Sequence, residues 1–171
     1  MRGLAAAFLL SLGLAQPAWS QDADRVPDSE ILTWAADACK AKDFTGFFGH
    51  FAQNPAVFAA HVGPQVEIRK LAAPHQLVAT VAGQDYRDFK IAMVDYSWVD
   101  ADSAARVEAG KSQSFEDLEL TFSDLGKDSW RVGYTKAEFR GEHELVRTYG
   151  PPGAYVFAFR DGCWRLTQDL R

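Results

Sequence analysis

Tyr155-Val156-Phe157-Ala158-Phe159-Arg160-Asp161-Gly162-Cys163-Trp164-Arg165-Leu166 sets two apolar-rich stretches on either side of an Asp–Gly pair. Side chains alternating with a period of two mark half-buried strands. Asp161–Gly162 supplies the two-residue loop that a hairpin favours, because glycine accepts positive φ at little cost. Beyond the loop, Cys163, Arg165 and Thr167 are expected on one face, with Trp164, Leu166 and Gln168 on the other. Upstream, Tyr149-Gly150-Pro151-Pro152-Gly153 reads as a turn that opens this last hairpin.

The same period extends toward the N-terminus. Val66 and Ile68 alternate around Glu67 and Arg69, with Leu71 just beyond, and Leu77 to Val81 forms a short run closed by Gly83. Phe89, Ile91 and Met93 alternate, then Tyr96 and Trp98 continue one register later, as expected of a bulge or a break near Asp95. Residues 100 to 114 are polar and read as a loop with room for a short element. Leu118, Leu120 and Phe122, then Trp130, Val132 and Tyr134, then His143, Leu145 and Arg147 give three further strands.

Ahead of residue 63 the period is helical. Ile31, Leu32, Ala35, Ala38 and Cys39 repeat at helix spacing, with Asp28 or Ser29 placed to cap and Lys40 and Lys42 near the C-terminal end. Phe44, Phe47, Phe48 and Phe51 fall at i, i+3, i+4 and i+7, one aromatic stripe. Asn54–Pro55 stops that helix and starts a third through Val57, Phe58 and Val62, which Gly63–Pro64 ends. Gly46 and Gly49 inside the stripe are unusual, since interior glycine costs about 0.5–1 kcal/mol relative to alanine. Helices first and strands after predict an α+β domain, with N-terminal helices packed on a curved, mostly antiparallel sheet.

The first residues, MRGLAAAFLLSLGLAQPAWS, pair Arg2 with an apolar run from Leu4 to Leu14 and the small-x-small sequence Ala18-Trp19-Ser20. This is the pattern of a cleavable signal peptide, with cut before Gln21. A membrane anchor needs about 20 apolar residues, and this run is shorter and broken by Gln16 and Pro17. The expected organisation is a signal over 1–20, a short polar leader over 21–27 and one domain over 28–171. A periplasmic or secreted location, without stable membrane insertion, follows from it.

The whole chain carries 18 basic and 23 acidic residues, and the signal removes only Arg2, so the mature formal charge is −6. A negative domain without a basic run repels a phosphate backbone, which argues against nucleic acid as a partner. Cys39 and Cys163 form an even pair far apart in sequence. In an oxidising compartment that predicts a disulfide stapling the first helix to the last strand, worth about 2–4 kcal/mol. Two buried free thiols, or a site shared with His50 or His143, are the competing readings. No C-x-x-C or zinc-type spacing supports a metal, and no cofactor motif is present.

Two features, the phenylalanine-rich run Asp43-Phe44-Thr45-Gly46-Phe47-Phe48-Gly49-His50-Phe51-Ala52-Gln53-Asn54 and the ending Tyr155-Val156-Phe157-x-Phe159-x-Asp161-Gly162-x-Trp164-x-Leu166, carry a resemblance. Together they resemble the NTF2-like superfamily, a cone-shaped α+β fold, and its exported bacterial members without an assigned role. The resemblance spans roughly residues 28 to 170. It implies a concave sheet face able to enclose a pocket beneath the helices. Catalytic members of that superfamily place a tyrosine with an aspartate, or a His–Asp pair, inside the cone. No such pair is matched residue by residue in this sequence.

The candidate side chains are therefore read from local chemistry. Asp85-Tyr86-Arg87-Asp88 and Asp95-Tyr96-Ser97-Trp98 are the richest segments. Asp95 in a dry concavity would have a raised pKa and serve as a base, with Tyr96 or Tyr134 donating to an oxyanion and His75 as a further titratable group. The plainer reading puts the aspartates in solvent at strand ends. Phe44, Phe47, Phe48, Phe51, Phe58 and Trp98 either fill the core or wall a ligand pocket. Three functions compete on these grounds. One is an exported binding module for a protein partner or small apolar ligand, the second a small isomerase or hydrolase-like enzyme, and the third an envelope-associated structural protein.

Overall fold

The computed structural model describes residues 26–141 and 144–171. The expected signal peptide over 1–20, most of the expected leader and His143 lie outside the described residues.

Three helices come first: α1 (Asp28–Ala41), α2 (Phe44–Gln53) and α3 (Pro55–His61). Pro27 occupies the cap position of α1 without a side-chain hydrogen bond. Asp28, expected as that cap, instead accepts from Asn54 Nδ2 at 3.0 Å and ties α1 to the start of α3. Asn54 itself caps α3, accepting from the backbone N–H groups of Ala56 and Val57 at 2.9 and 3.1 Å. Asp43 caps α2 through Gly46 N–H at 2.9 Å. A Cβ at residue 46 would collide with that capping carboxylate, which accounts for one of the two glycines in the aromatic helix.

Eight strands follow: β1 (Val62–Lys70), β2 (Ala73–Ala82), β3 (Ile91–Val94), β4 (Ser97–Asp100), β5 (Asp117–Gly126), β6 (Ser129–Arg140), β7 (Glu144–Arg160) and β8 (Cys163–Leu170). A helix, α4 (Ala101–Glu108), separates β4 from β5. All eight strands form one open sheet in the order β2-β1-β8-β7-β6-β5-β4-β3. Every neighbouring pair is antiparallel except β1 with β8. The architecture is α+β, with the N-terminal helices packed on a mostly antiparallel sheet.

The Phe44–Phe51 stripe is the centre of the core. Phe44, Phe47, Phe48 and Phe51 are at most 2% exposed. Phe44 stacks on Trp130 at 4.9 Å, and Phe51 meets Phe157 edge-on at 5.1 Å. Edge-to-face and offset arrangements satisfy the ring quadrupoles and add to the area term. These rings fill the space between helices and sheet, so the choice between core and pocket wall falls to core for these four. Cys39 and Cys163 are bonded across the same interface with Cα atoms 4.9 Å apart, within the range disulfides span.

One local expectation changes and two open ones are settled. Gly150-Pro151-Pro152 is a bulge inside β7 and not a turn: Tyr134 pairs with Gly153 while Lys136 pairs with Tyr149. The prolines have no N–H to give to a ladder, and the bulge removes that need. The break near Asp95 is a tight hairpin loop between β3 and β4, with Met93 opposite Trp98 and Val94 opposite Ser97. The polar stretch after residue 100 contains α4, the short element there was room for, capped by Asp100.

Candidate functional site: a cleft where the sheet splits

The cleft begins at a fixed point. Asp100 is 7% exposed and its side chain accepts from Ser103 N–H at 2.8 Å, capping α4. Ser103 Oγ donates to Asp100 O at 2.7 Å and accepts from Glu116 N–H at 3.0 Å. The Asp100 N–H donates to Glu116 O at 2.8 Å. The Glu116 carboxylate accepts from Arg106 at 2.7 Å and Lys136 at 3.0 Å. Its hydrogen bond to Lys136 leads the causes that hold its pKa below the usual carboxylate value. This knot fastens β4, α4, β5 and β6 at one point.

Past the knot, β4 and β5 diverge. Among the described residues they share one register pair, Val99 with Asp117, whereas β5 pairs with β6 along its length. The gap is a cleft of about 750 Å³, lined from Asp95 to Trp98 on one side and from Asp117 to Leu120 with Phe122 on the other. Phe139 and Gly141 close it at the end of β6. Leu118, Leu120 and Phe122 come from one face of β5, and Asp117 and Glu119 from the opposite face. The opening thus wraps around the bare edge of β5. Two half-buried rings of its floor rest on the core: Trp98 lies 5.5 Å and Phe122 5.4 Å from Phe48.

The mouth is acidic. Asp95, Asp117 and Glu119 line the cleft. Among the described residues no lysine or arginine pairs with any of the three. Asp95 and Tyr96 form the loop at φ +46° and +64°, both in the left-handed region. Asparagine–glycine would suit that loop, and a tyrosine there is strained by a bulky Cβ substituent. Tyr96 is also 97% exposed. The fold therefore holds a large amphipathic ring at the cleft mouth at a local conformational cost, a combination that clusters at functional positions.

The remaining sequence candidates stand elsewhere. His75 is exposed on β2, at the opposite end of the sheet from β3 and β4. Tyr134 is half-buried and stacks on Tyr155 at 5.2 Å. Gly153 makes that possible, because a Cβ there would collide with the Tyr134 ring. Asp95, Tyr96 and Trp98 share the cleft, whereas Tyr134 and His75 do not join it. Phe58 packs half-buried between Phe51 and Phe89.

A second polar group was not legible in the sequence. Tyr86, 2% exposed, donates to Asp169 Oδ2 at 2.8 Å, and Arg171 donates to the same carboxylate oxygen at 2.6 Å. Arg171 also bonds Asp88, which pairs with Lys90, which pairs with Asp102 at 2.9 Å. Tyr155 OH accepts from Lys90 N–H at 2.8 Å. Burial drives the Tyr86 and Tyr155 hydroxyls far up and raises the Asp169 carboxyl. For Asp88 burial pulls upward too, but Lys90 and Arg171 outweigh it and the pKa falls below the usual value. The hydroxyls remain protonated donors and their partners lie within the protein. A smaller recess of about 440 Å³, lined by Val81, Asp85, Tyr86, Arg87, Asp88 and Arg171, adjoins the group. Its chemistry is that of a latch joining the C-terminus to the start of β3. The missed signal was Asp169: a bulge in β8 between Leu166 and Gln168 reverses the strict alternation and turns that carboxylate inward.

Among the described residues, no three His, Cys, Asp or Glu side chains converge to hold a metal ion. No helix there is long and apolar enough to cross a membrane.

No protein-family model matches the chain, and no curated protein matches it. Solved structures align over most of its length. The association domain of C. elegans CaMKII is 14% identical, covering 84% of this chain and 90% of its own, with a TM-score of 0.27. An NTF2-like protein of unknown function from Shewanella oneidensis MR-1 is 13% identical, covering 83% of this chain and 93% of its own, with a TM-score of 0.29. At such scores the likeness carries no functional argument, and the α+β arrangement rests on the strand order and helix packing described above.

Proposed function

We propose that this chain is an exported NTF2-like binding module, periplasmic or secreted, whose working surface is the cleft between β4 and β5. The observation that carries the reading is the contrast between a core sealed by phenylalanines and an unsealed split with an aromatic floor and an acidic mouth. Trp98, Leu120 and Phe122 offer apolar contact, and Asp95, Asp117 and Glu119 select positive charge. The ligand is therefore amphipathic, with an apolar body and a cationic end. Long-range attraction follows from the negative net charge, which speeds encounter with a basic partner.

An isomerase or hydrolase reading draws less support. Tyr86 and Asp169 do form a tyrosine–aspartate pair, but Arg171 neutralises the carboxylate and both groups are buried.

Native mass spectrometry of the protein purified from its export compartment tests the proposal. The wild type is expected to retain a basic ligand or partner that the Asp95→Asn/Asp117→Asn/Glu119→Gln variant loses. Equal retention by both proteins, or none by either, contradicts it.

A further inference from the structure

The cleft is bounded on one side by backbone. Beyond Leu118, the flank of β5 turned toward β4 has no strand partner among the described residues, because the only register pair is Val99 with Asp117. A strand edge presents alternating N–H and C=O groups, a template for one more strand. Natural edges are usually blunted by lysine, proline or a covering element. Here Leu118–Phe122 holds no lysine or proline and a single charge, Glu119, and the β3–β4 hairpin stands away from it across the cleft.

Resting on the binding-module reading above, we propose that the occupant is an extended segment of a partner protein. It adds as a strand to the free edge of β5, with lysine or arginine alternating with apolar residues. Main-chain hydrogen bonds to β5 give affinity, and alternate side chains give specificity. Successive side chains of an added strand point to opposite faces. One row meets Trp98, Leu120 and Phe122. The other row meets Asp117 and Glu119, with Asp95 at the mouth. The two faces of the cleft have the two chemistries that such a segment presents. A small amphipathic cation satisfies the rim and floor but leaves the backbone edge unused.

The test uses the intact protein and an acetylated, amidated hexapeptide alternating lysine and valine. Its controls are the same peptide N-methylated along one edge and a glutamate–valine analogue. Amide exchange and chemical shifts are followed by NMR, with Trp98 indole as a second reporter. The proposal expects the lysine–valine peptide to slow exchange at the β4-facing amides between Leu118 and Phe122, and N-methylation to weaken binding about tenfold or more. The glutamate–valine peptide is expected not to bind. If the lysine–valine and N-methylated peptides bind equally and move Trp98 without protecting β5 amides, strand addition is overturned while the cleft reading stands. If no peptide perturbs Trp98 or Leu118–Phe122 but a small aromatic amine does, strand addition is again overturned alone. If none of these probes perturbs the cleft, both readings fall.

Discussion

The space beneath α2 and the split between β4 and β5 are built from the same kinds of residue and reach opposite outcomes. Under α2, Phe44, Phe47, Phe48 and Phe51 meet Phe157, Trp130 and Trp164 and are shut away from solvent. At the split, Trp98 and Phe122 touch the same Phe48 yet stay half-buried and line an opening. Ring content does not separate the two regions. The number of backbone partners does: β7 is paired on both sides along its second half, whereas β5 has one companion for most of its length. Apolar side chains seal a core when the strands beneath them cannot part, and they floor a cleft when the ladder opens.

The strongest challenge to this contrast comes from truncating each ring. Phe48→Ala removes a fully buried side chain shared by both regions and is expected to cost about 3–5 kcal/mol in urea denaturation. Phe122→Ala, half-exposed, is expected to cost less than half as much while weakening ligand capture. Equal costs would mean that the cleft wall is as well packed as the core.

Next in size is the staple. Replacing Cys39 and Cys163 by alanine is expected to lower stability by roughly 2–4 kcal/mol, since the bond closes a long loop across the sealed interface. Binding at the cleft by the folded variant should be unchanged. A loss of binding without a loss of stability would show that the two regions are coupled and contradict their independence.

The buried latch gives a pH signature. Burial raises the folded pKa of Asp169 above its ordinary 3.8. Between the two values the folded state holds the proton more tightly than the unfolded state. The contribution of Asp169 is therefore most favourable below about pH 3.8 and declines as pH rises through the raised value. Asp88 acts in the opposite sense, since its folded pKa is lowered and its contribution is lost as pH falls. Subtracting an Asp169→Asn variant isolates the first group. The wild-type advantage in urea midpoint over that variant should shrink from pH 3 to pH 7. Growth of that advantage would mean that Arg171 and Tyr86 outweigh burial.

The smallest effect is expected at the loop. Asp95→Asn with Tyr96→Gly suits two positive-φ positions and should stabilise by about 0.5–1 kcal/mol, read as a rise in urea midpoint. The same variant should bind the lysine–valine peptide more weakly. A stabilised protein with unaltered binding would remove Tyr96 and Asp95 from the site.

Much of the fold was legible because its signals are local. The aromatic stripe of α2, the Asn54–Pro55 junction and the Asp161–Gly162 hairpin each carry their cause within a few residues. Gly150-Pro151-Pro152 was legible as a special backbone site but not as a bulge, because whether a strand resumes depends on the partner β6. Helix α4 hid in a polar stretch, being short and held by Asp100, Ser103 and Glu116 rather than by an apolar face. The site was legible only in part. Asp95, Tyr96 and Trp98 stood out as chemistry, yet their meeting with Asp117 and Glu119 arises from where two strands separate, and no residue spacing encodes that. The Tyr86–Asp169 contact joins positions 83 residues apart, one of them beyond a bulge, so alternation alone pointed the carboxylate the wrong way.

Residue-resolved hydrogen exchange on the unliganded protein tests the division most directly. The amides of Phe48 and Phe51 are predicted to exchange slowly. Along β5 beyond Leu118 an alternating pattern is predicted, with the amides turned toward β6 slow and those turned toward β4 fast. Uniformly slow exchange over Leu118–Phe122 together with Ser97–Asp100 would show that β4 and β5 are zipped in solution, and the cleft with its proposed occupant would be contradicted.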